Sequence, residues 1–205
     1  AIPSAVAAVA MVVADSGFSQ NLIRRRDPGL RDYKAVFVFN MALSSVLYVL
    51  LALLAPVAAR YYGMPEIARI APVFLLLLPL SSLCSVQNAI FTRQFRFALL
   101  SKVNFLSSFV SGLAAVALAA LGCGIWSLVA ERLLAMGVRA ALLWRFSDWH
   151  PSGRFSAAPL REMAPFSMSL MATDLISTLY NKLPQFFFGR LYPAATLGVC
   201  LLYTS

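Results

Sequence analysis

Residues 165–191 read PFSMSLMATDLISTLYNKLPQFFFGRL, a run long and apolar enough to cross a bilayer that nonetheless carries an acid, a base, amides and a proline. Wound as a helix at about 100° per residue, Asp174, Thr178, Asn181 and Gln185 recur at steps of four, three and four and share one stripe. Lys182 lies roughly 80° around from Asp174, on the flank of that stripe. Phe186, Phe187 and Phe188 crowd the far end, where an aromatic belt belongs. Pro184 removes a backbone donor and frees the carbonyl of Tyr180, a break tolerated in lipid only beside protein or water. A membrane helix with one wet stripe lines something, and that reading sets the class: an all-α, polytopic transmembrane bundle.

The rest of the composition agrees. The chain has 205 residues, 60% of them hydrophobic and 12% charged, with mean hydropathy +0.78, which excludes an ordinary soluble domain. The net charge of +9 does not mark a nucleic-acid binder, because the basic residues fall between apolar runs. Cys84, Cys123 and Cys200 are too widely spaced for a disulfide framework or a zinc site, and His150 reads as a surface residue beside Trp149 and Pro151. No nucleophile elbow, P-loop or glycine-rich dinucleotide turn occurs, so neither a catalytic residue, a cofactor nor a metal is expected.

Outward from 165–191, the apolar runs are 1–18, 35–59, 70–91, 103–121 and 125–146, with another beginning at Ala194. That gives five complete spans and two partial ones, both ends reading as cut. Pro72 and Pro79 predict kinks, Gly122-Cys-Gly124 a tight hairpin, and Pro159 the start of a short interfacial helix. Arg24, Arg25, Arg26, Arg31, Lys34, Arg93, Arg96, Lys102, Arg145, Arg154 and Arg161 fall on one side of the membrane. Only Arg60, Arg69 and Arg190 fall on the other, so loops 19–34, 93–102 and 145–164 are cytoplasmic by the positive-inside rule.

Five charges then sit inside the membrane: Glu131, Arg132, Arg139, Asp174 and Lys182. Each Asp, Lys or Arg at a helix centre opposes insertion by about 2.5–3.5 kcal/mol, so each needs a reason. Arg132 and Arg139 are seven apart, share a face, and lie about 6 Å either side of the midplane of their helix at ~1.5 Å per residue. One reading pairs Glu131 or Asp174 with a base to hold two helices together. The other is a water-filled cavity, cationic on balance, that accepts an anionic group. The serines of the 70–91 run read as helix-packing residues.

An ordered set of short motifs runs through nearly the whole chain: Gly17-Phe-Ser, Asn21-Leu-Ile and Asp27; Ala55-Pro, Ala59-Arg60, Gly63 and Pro65-Glu66; Gln87, Arg93 and Phe95-Arg-Phe97. It continues with Gly122, Gly124, Trp126-Ser-Leu-Val-Ala130, Phe155-Ser156, Gly189-Arg190 and Leu197-Gly198. In these the chain resembles the Wzx-type oligosaccharide flippases, the polysaccharide biosynthesis transporters of the multidrug/oligosaccharidyl-lipid/polysaccharide superfamily. The resemblance implies two pseudo-symmetric lobes working by alternating access on an undecaprenyl-pyrophosphate-linked oligosaccharide in the bacterial inner membrane. Residues 1–164 then form most of a first lobe whose first helix is missing, and 165–205 begin the second. Arg132, Arg139 and Lys182 become candidates for attracting pyrophosphate or acidic sugars, with Asp174 and Asn181 gating or hydrogen-bonding the glycan. Glu131, Thr178, Pro184 and Gln185 are candidates for gating or packing. Membrane lipids, a polysaccharide polymerase and export components are the implied partners; nucleic acid is not one.

Two departures stand out. Glu131-Arg132 occupies a place where similar proteins often carry uncharged polar residues, and residues 200–205 do not continue as the family does after Gly198. A cation-coupled drug exporter of the same superfamily, with Asp174 binding the ion, is the competing function. A membrane glycan polymerase or ligase is disfavoured, because every non-cytoplasmic loop is short.

Overall fold

The three-dimensional description is a computed structural model. It describes the backbone of residues 2–15, 17–25, 28–62, 65–151 and 158–191, and the side chains of these except 2–8, 58, 61, 62, 65–68 and 182–191. Among the described residues every regular element is a helix: α1 (Ile2–Asp15), α2 (Phe18–Arg24), α3 (Leu30–Tyr62), α4 (Pro65–Leu75), α5 (Leu77–Arg93), α6 (Phe97–Ala120), α7 (Ile125–Phe146) and α8 (Ala158–Leu191).

Three segments are long and apolar enough by length and composition to cross a membrane: Leu30–Val57, Arg69–Arg93 and Phe97–Ala120. α7 has spanning length, 22 residues, but holds Glu131, Arg132 and Arg139 in its middle. The outward faces explain the solvent. On α3, Val46, Val49, Leu50, Leu53, Leu54 and Val57 are exposed, while Val36, Asn40, Ser44 and Ala55 on the opposite face are buried. On α6, Phe105, Phe109, Leu113 and Val116 point outward and Val103, Ser107 and Ser111 inward. Apolar outside with small polar residues at helix contacts is the pattern that lipid selects, because lipid supplies no hydrophobic drive between helices and close approach must do so.

The turns follow from backbone chemistry. α5 and α6 end alike: Arg96 N–H bonds the Phe91 carbonyl and Phe95 N–H that of Thr92, as Cys123 N–H bonds Leu118 and Gly122 N–H bonds Ala119. Both are Schellman closures that need a left-handed residue. Gly122 supplies it freely at φ 80, whereas at the first turn it is Phe95, at φ 54. Phe95→Gly is accordingly expected to raise stability by up to about 1 kcal/mol, seen as a higher melting temperature of the purified protein.

Four expectations change. The 70–91 run is kinked at one place between its two prolines, at Leu76, which keeps helical dihedrals and parts α4 from α5 within a single spanning segment. Pro79 has no N–H for the Leu75 carbonyl, and the chain re-registers through a three-residue bond from Leu76 N–H to Val73 O at 3.3 Å. Pro159 starts no separate interfacial helix; it lies in the first turn of α8, which runs unbroken for 34 residues into the membrane stretch. The 19–34 loop contains α2, and Lys102 belongs to α6 rather than to a loop. The expected helix beginning at Ala194 and residues 200–205 lie outside the described residues.

α1 packs against α8, α3 and α5, and α7 against α6 and α5. The main core, at the basic end, gathers Phe18, Leu22, Val36, Val86, Ile90, Trp149 and Met163. Rings interlock there: Phe37 meets Trp144 and Trp149 edge-on at 5.7 and 5.9 Å. Buried Gln87 ties the 147–151 loop down by donating to the Trp149 carbonyl at 3.4 Å.

Candidate functional site

The hairpin of α6 and α7 presents Arg132 and Arg139 from one face of α7 into a cavity of about 480 Å³. Its other walls include Asn104, Ser107 and Ser108 of α6, Leu77 of α5 and Met11 of α1. α7 is held at the right rotation by Ala140 and Leu143, buried with Cys84 and Phe91 of α5, and by Trp144 Nε1, which donates to the Leu83 carbonyl at 3.1 Å. Arg139 Nη2 donates to Asn88 Oδ1 at 3.2 Å. Its Nε is buried and has no hydrogen-bond partner among the described residues. Arg132 is exposed to the cavity and Glu131 is half-buried beside it. Among the described residues no ion pair within 4.0 Å involves Glu131, Arg132, Arg139 or Asp174. The cavity thus holds two guanidinium groups with donors to spare, which suits a multiply charged anion such as a phosphate.

A second cavity, of about 250 Å³, adjoins the first and shares Met11, Met136 and Arg139 with it. It contains Asp15, a residue that reads from the sequence only as the end of an apolar run. α1 stops at Asp15 and α2 begins at Phe18, with Gly17 between them at φ 66. At this break Ser19 Oγ donates to Asp15 Oδ1 at 2.7 Å, and Ser85 Oγ of α5 donates to the same oxygen. Asn40 Nδ2 of α3 reaches Ser19 Oγ at 3.2 Å and Asp15 Oδ1 at 3.5 Å. The sequence does hold a signal for this cluster, namely Asn40 and Ser85 inside predicted spans, but their convergence on Asp15 depends on how three helices pack. Ser82, by contrast, bonds Ser44 at 3.0 Å and serves packing, as expected.

The stripe of α8 faces elsewhere. Buried Met163 and Ser167 pack on α1 and α2, and half-buried Asp174 and Thr178 continue that line along the helix. Asp174 Oδ2 accepts from Gln20 Nε2 at 2.7 Å. Asn21 Nδ2 donates to the Met163 carbonyl at 3.1 Å and to Ser167 Oγ at 3.0 Å. Asn181 is exposed, and the side chains of Lys182, Pro184 and Gln185 lie outside the described residues. The structure therefore brings Arg132 and Arg139 together, and sets Asp174 against α2 rather than against the arginines.

At the cytoplasmic end Arg25 Nη2 reaches both carboxylate oxygens of Glu162, at 3.1 and 3.0 Å, and Arg25 Nε lies 3.8 Å from Asp32. Glu162 is largely exposed, so solvent screens this bridge. A double-mutant cycle of Arg25→Gln and Glu162→Gln, read by thermal unfolding, is expected to give a coupling energy below about 1 kcal/mol. Arg93, whose Nη1 donates to the Leu22 carbonyl at 3.1 Å and to that of Arg25, anchors the C-terminal end of α2 more firmly.

Comparison with known proteins gives the following. A family model described as "Polysaccharide biosynthesis protein" matches residues 1–202. The chain is 24% identical over 193 residues to the teichuronic acid biosynthesis protein TuaB of Bacillus subtilis (strain 168), covering 93% of this chain and 40% of that protein. It is 25% identical over 179 residues to the succinoglycan biosynthesis transport protein ExoT of Rhizobium meliloti (strain 1021), covering 87% of this chain and 36% of that protein. The chain thus spans about two fifths of the length of these curated relatives. No solved structure matches it.

Proposed function

The chain belongs to the polysaccharide biosynthesis protein family, as a multi-pass protein of the bacterial inner membrane, and from that premise we propose that it forms part of a lipid-linked oligosaccharide flippase. Its substrate is an undecaprenyl-pyrophosphate-linked oligosaccharide, carried from the cytoplasmic to the periplasmic leaflet for surface polysaccharide assembly. The observation that carries this reading is the pair Arg132 and Arg139 lining one intramembrane cavity without an ion-pair partner among the described residues. Two cations within a membrane helix are expensive unless an anion visits them, and the lipid-linked sugar carries one at its pyrophosphate. The names of TuaB and ExoT, polysaccharide biosynthesis and transport proteins, point the same way.

Residues 1–164 make up most of one lobe and 165–205 begin the next, with the α8 stripe at the boundary. Alternating access moves the cavity from one leaflet to the other, and the bond between Gln20 and Asp174 is a contact such a movement makes and breaks. Asn181, beyond Asp174 on the same helix, is exposed and free to bond sugar hydroxyls, and Lys182 follows it. A polymerase and export components take the product onward.

Deletion of the encoding gene tests the reading. Loss of surface polysaccharide, with lipid-linked oligosaccharide accumulating on the cytoplasmic leaflet, is the expected result. A strain that keeps its polysaccharide and becomes sensitive to drugs instead overturns it.

A further inference from the structure

We propose that a further cavity, of about 570 Å³, binds the headgroup of one anionic phospholipid of the cytoplasmic leaflet. It lies at the basic end of the bundle, between the start of α3, the turn joining α5 to α6, and the loop after α7. Its walls carry Arg93, Arg96 and His150 against one acid, Asp148. Counting His150 as neutral, two guanidinium groups and one carboxylate leave a single positive charge, which matches the single negative charge of a phosphodiester. Tyr33 and Trp149 line the same space, and residues of their type settle at the level of lipid headgroups. Basic pockets between membrane helices on the cytoplasmic side are where anionic headgroups are held.

The basic side chains are oriented by the fold itself. Arg93 is tied through Nη1 to the carbonyls of Leu22 and Arg25, so it borders the cavity as part of the framework. Arg96 holds its Cζ 5.4 Å from the centre of the buried Phe91 ring, and His150 meets the Trp144 ring edge-on at 6.1 Å. Side chains already steered by packing lose less freedom when a ligand arrives. Both Arg96 and His150 are exposed, and among the described residues neither has an ion-pair partner within 4.0 Å. No side chain caps α6, which starts directly after Arg96, so the positive end of that helix adds to the attraction.

A phosphate from the cytosol needs only these groups, whereas a lipid also needs somewhere to lay its chains. Leu30 lines the cavity and is 71% exposed, and about two turns below it the exposed stripe Val38, Val46, Val49 and Leu53 begins on α3. At the α5–α6 turn, Phe95 and Phe97 are exposed and meet edge-on at 6.0 Å. Phe95 stands in left-handed backbone, at φ 54, where glycine is unstrained. Burial of that ring among acyl chains offsets its conformational cost, which a glycine cannot do.

The test uses the purified full-length protein in a neutral detergent. Native mass spectrometry counts bound lipid, and thermal unfolding gives its affinity, as either phosphatidylglycerol, with one negative charge, or phosphatidylethanolamine, with no net charge, is added. The expected result is one phosphatidylglycerol bound saturably, at least about tenfold more tightly than phosphatidylethanolamine. Arg96→Gln is expected to weaken that binding about tenfold and Arg96→Lys to keep part of it. Lys102→Gln, at an exposed base of the same end that does not line the cavity, leaves it unchanged. Equal binding of the two lipids, or equal losses at Arg96 and Lys102, overturns the site in favour of diffuse surface charge. Displacement of the lipid by inorganic phosphate assigns the cavity to a free anion, and displacement by equimolar polyprenyl pyrophosphate assigns it to a polyprenyl lipid; either result overturns the phospholipid assignment. The turn is closed by the backbone N–H of Arg96, which glutamine and lysine retain, so these variants keep the fold. Binding is read without transport, so failure of this site is distinct from failure of the flippase reading.

Discussion

Arg132→Gln combined with Arg139→Gln is expected to abolish surface-polysaccharide export while the full-length protein still inserts and accumulates normally. Both side chains line one cavity, and the Arg139 Nε is a buried donor without a partner among the described residues. A hydrogen bond to a charged group contributes about 1.5–3 kcal/mol, so two such contacts to a pyrophosphate amount to roughly 3–6 kcal/mol. At about 1.4 kcal/mol per decade, that is a loss of some two to four orders of magnitude in affinity. Membrane insertion moves the other way, because each charge removed from a helix centre eases it by about 2.5–3.5 kcal/mol. Immunoblotting of membranes alongside polysaccharide staining separates the two effects. Arg139→Lys sharpens the result: the lysine keeps the charge but loses the fork that spans Asn88 and the cavity, so partial export is expected. Normal export in the double variant removes the cavity from the mechanism.

Gly17→Ala is expected to undo the docking of α2 on α8. Gly17 adopts φ 66, and a Cβ there meets the Ser167 carbonyl oxygen at 2.6 Å and Leu170 Cβ at 3.0 Å. The first obstacle is backbone, which cannot swing aside as a side chain can. The left-handed conformation opposes alanine by about 1–2 kcal/mol, and separating the helices forfeits the Asn21 bonds to Met163 and Ser167. The sum is about 2–5 kcal/mol, in the range reserved for strained or broken cores. A fall in melting temperature is expected, with loss of crosslinking between cysteines placed at Gln20 and Asp174, which are hydrogen-bonded in the native fold. Gly112→Ala is the control: nothing lies within 4 Å of its Cβ and the residue is in mid-helix α6, so alanine is neutral or slightly stabilising. Equal effects at the two glycines exclude the close approach at Gly17 as the cause.

Much of this was legible in residue order, for local reasons. Apolar runs of spanning length report helices, because a chain in lipid must satisfy its own backbone. The run 125–146 became α7 with the same ends, since Gly124 and Ser147 bound it with non-helical backbone. The cytoplasmic side followed from the lopsided lysines and arginines, and the shared face of Arg132 and Arg139 from a spacing of seven. The break at Leu76 was half visible, in two prolines whose combined effect falls between them.

Partnership between helices was not legible. The sequence establishes that Asp174 lies on a polar stripe, but which neighbour that stripe meets depends on α8 packing against α1 and α2, with Gly17 allowing the approach. Asp15 reads only as the end of an apolar run until Asn40 and Ser85, respectively 25 and 70 positions away, close around it. Periodicity encodes which face of a helix is wet; it holds nothing about which helix stands opposite, because that choice is made by many weak contacts summed over the whole bundle. The amino-acid sequence by itself therefore determined a membrane bundle, its orientation and its charged face, while tertiary structure alone decided that two arginines share a cavity and that a carboxylate waits beside them.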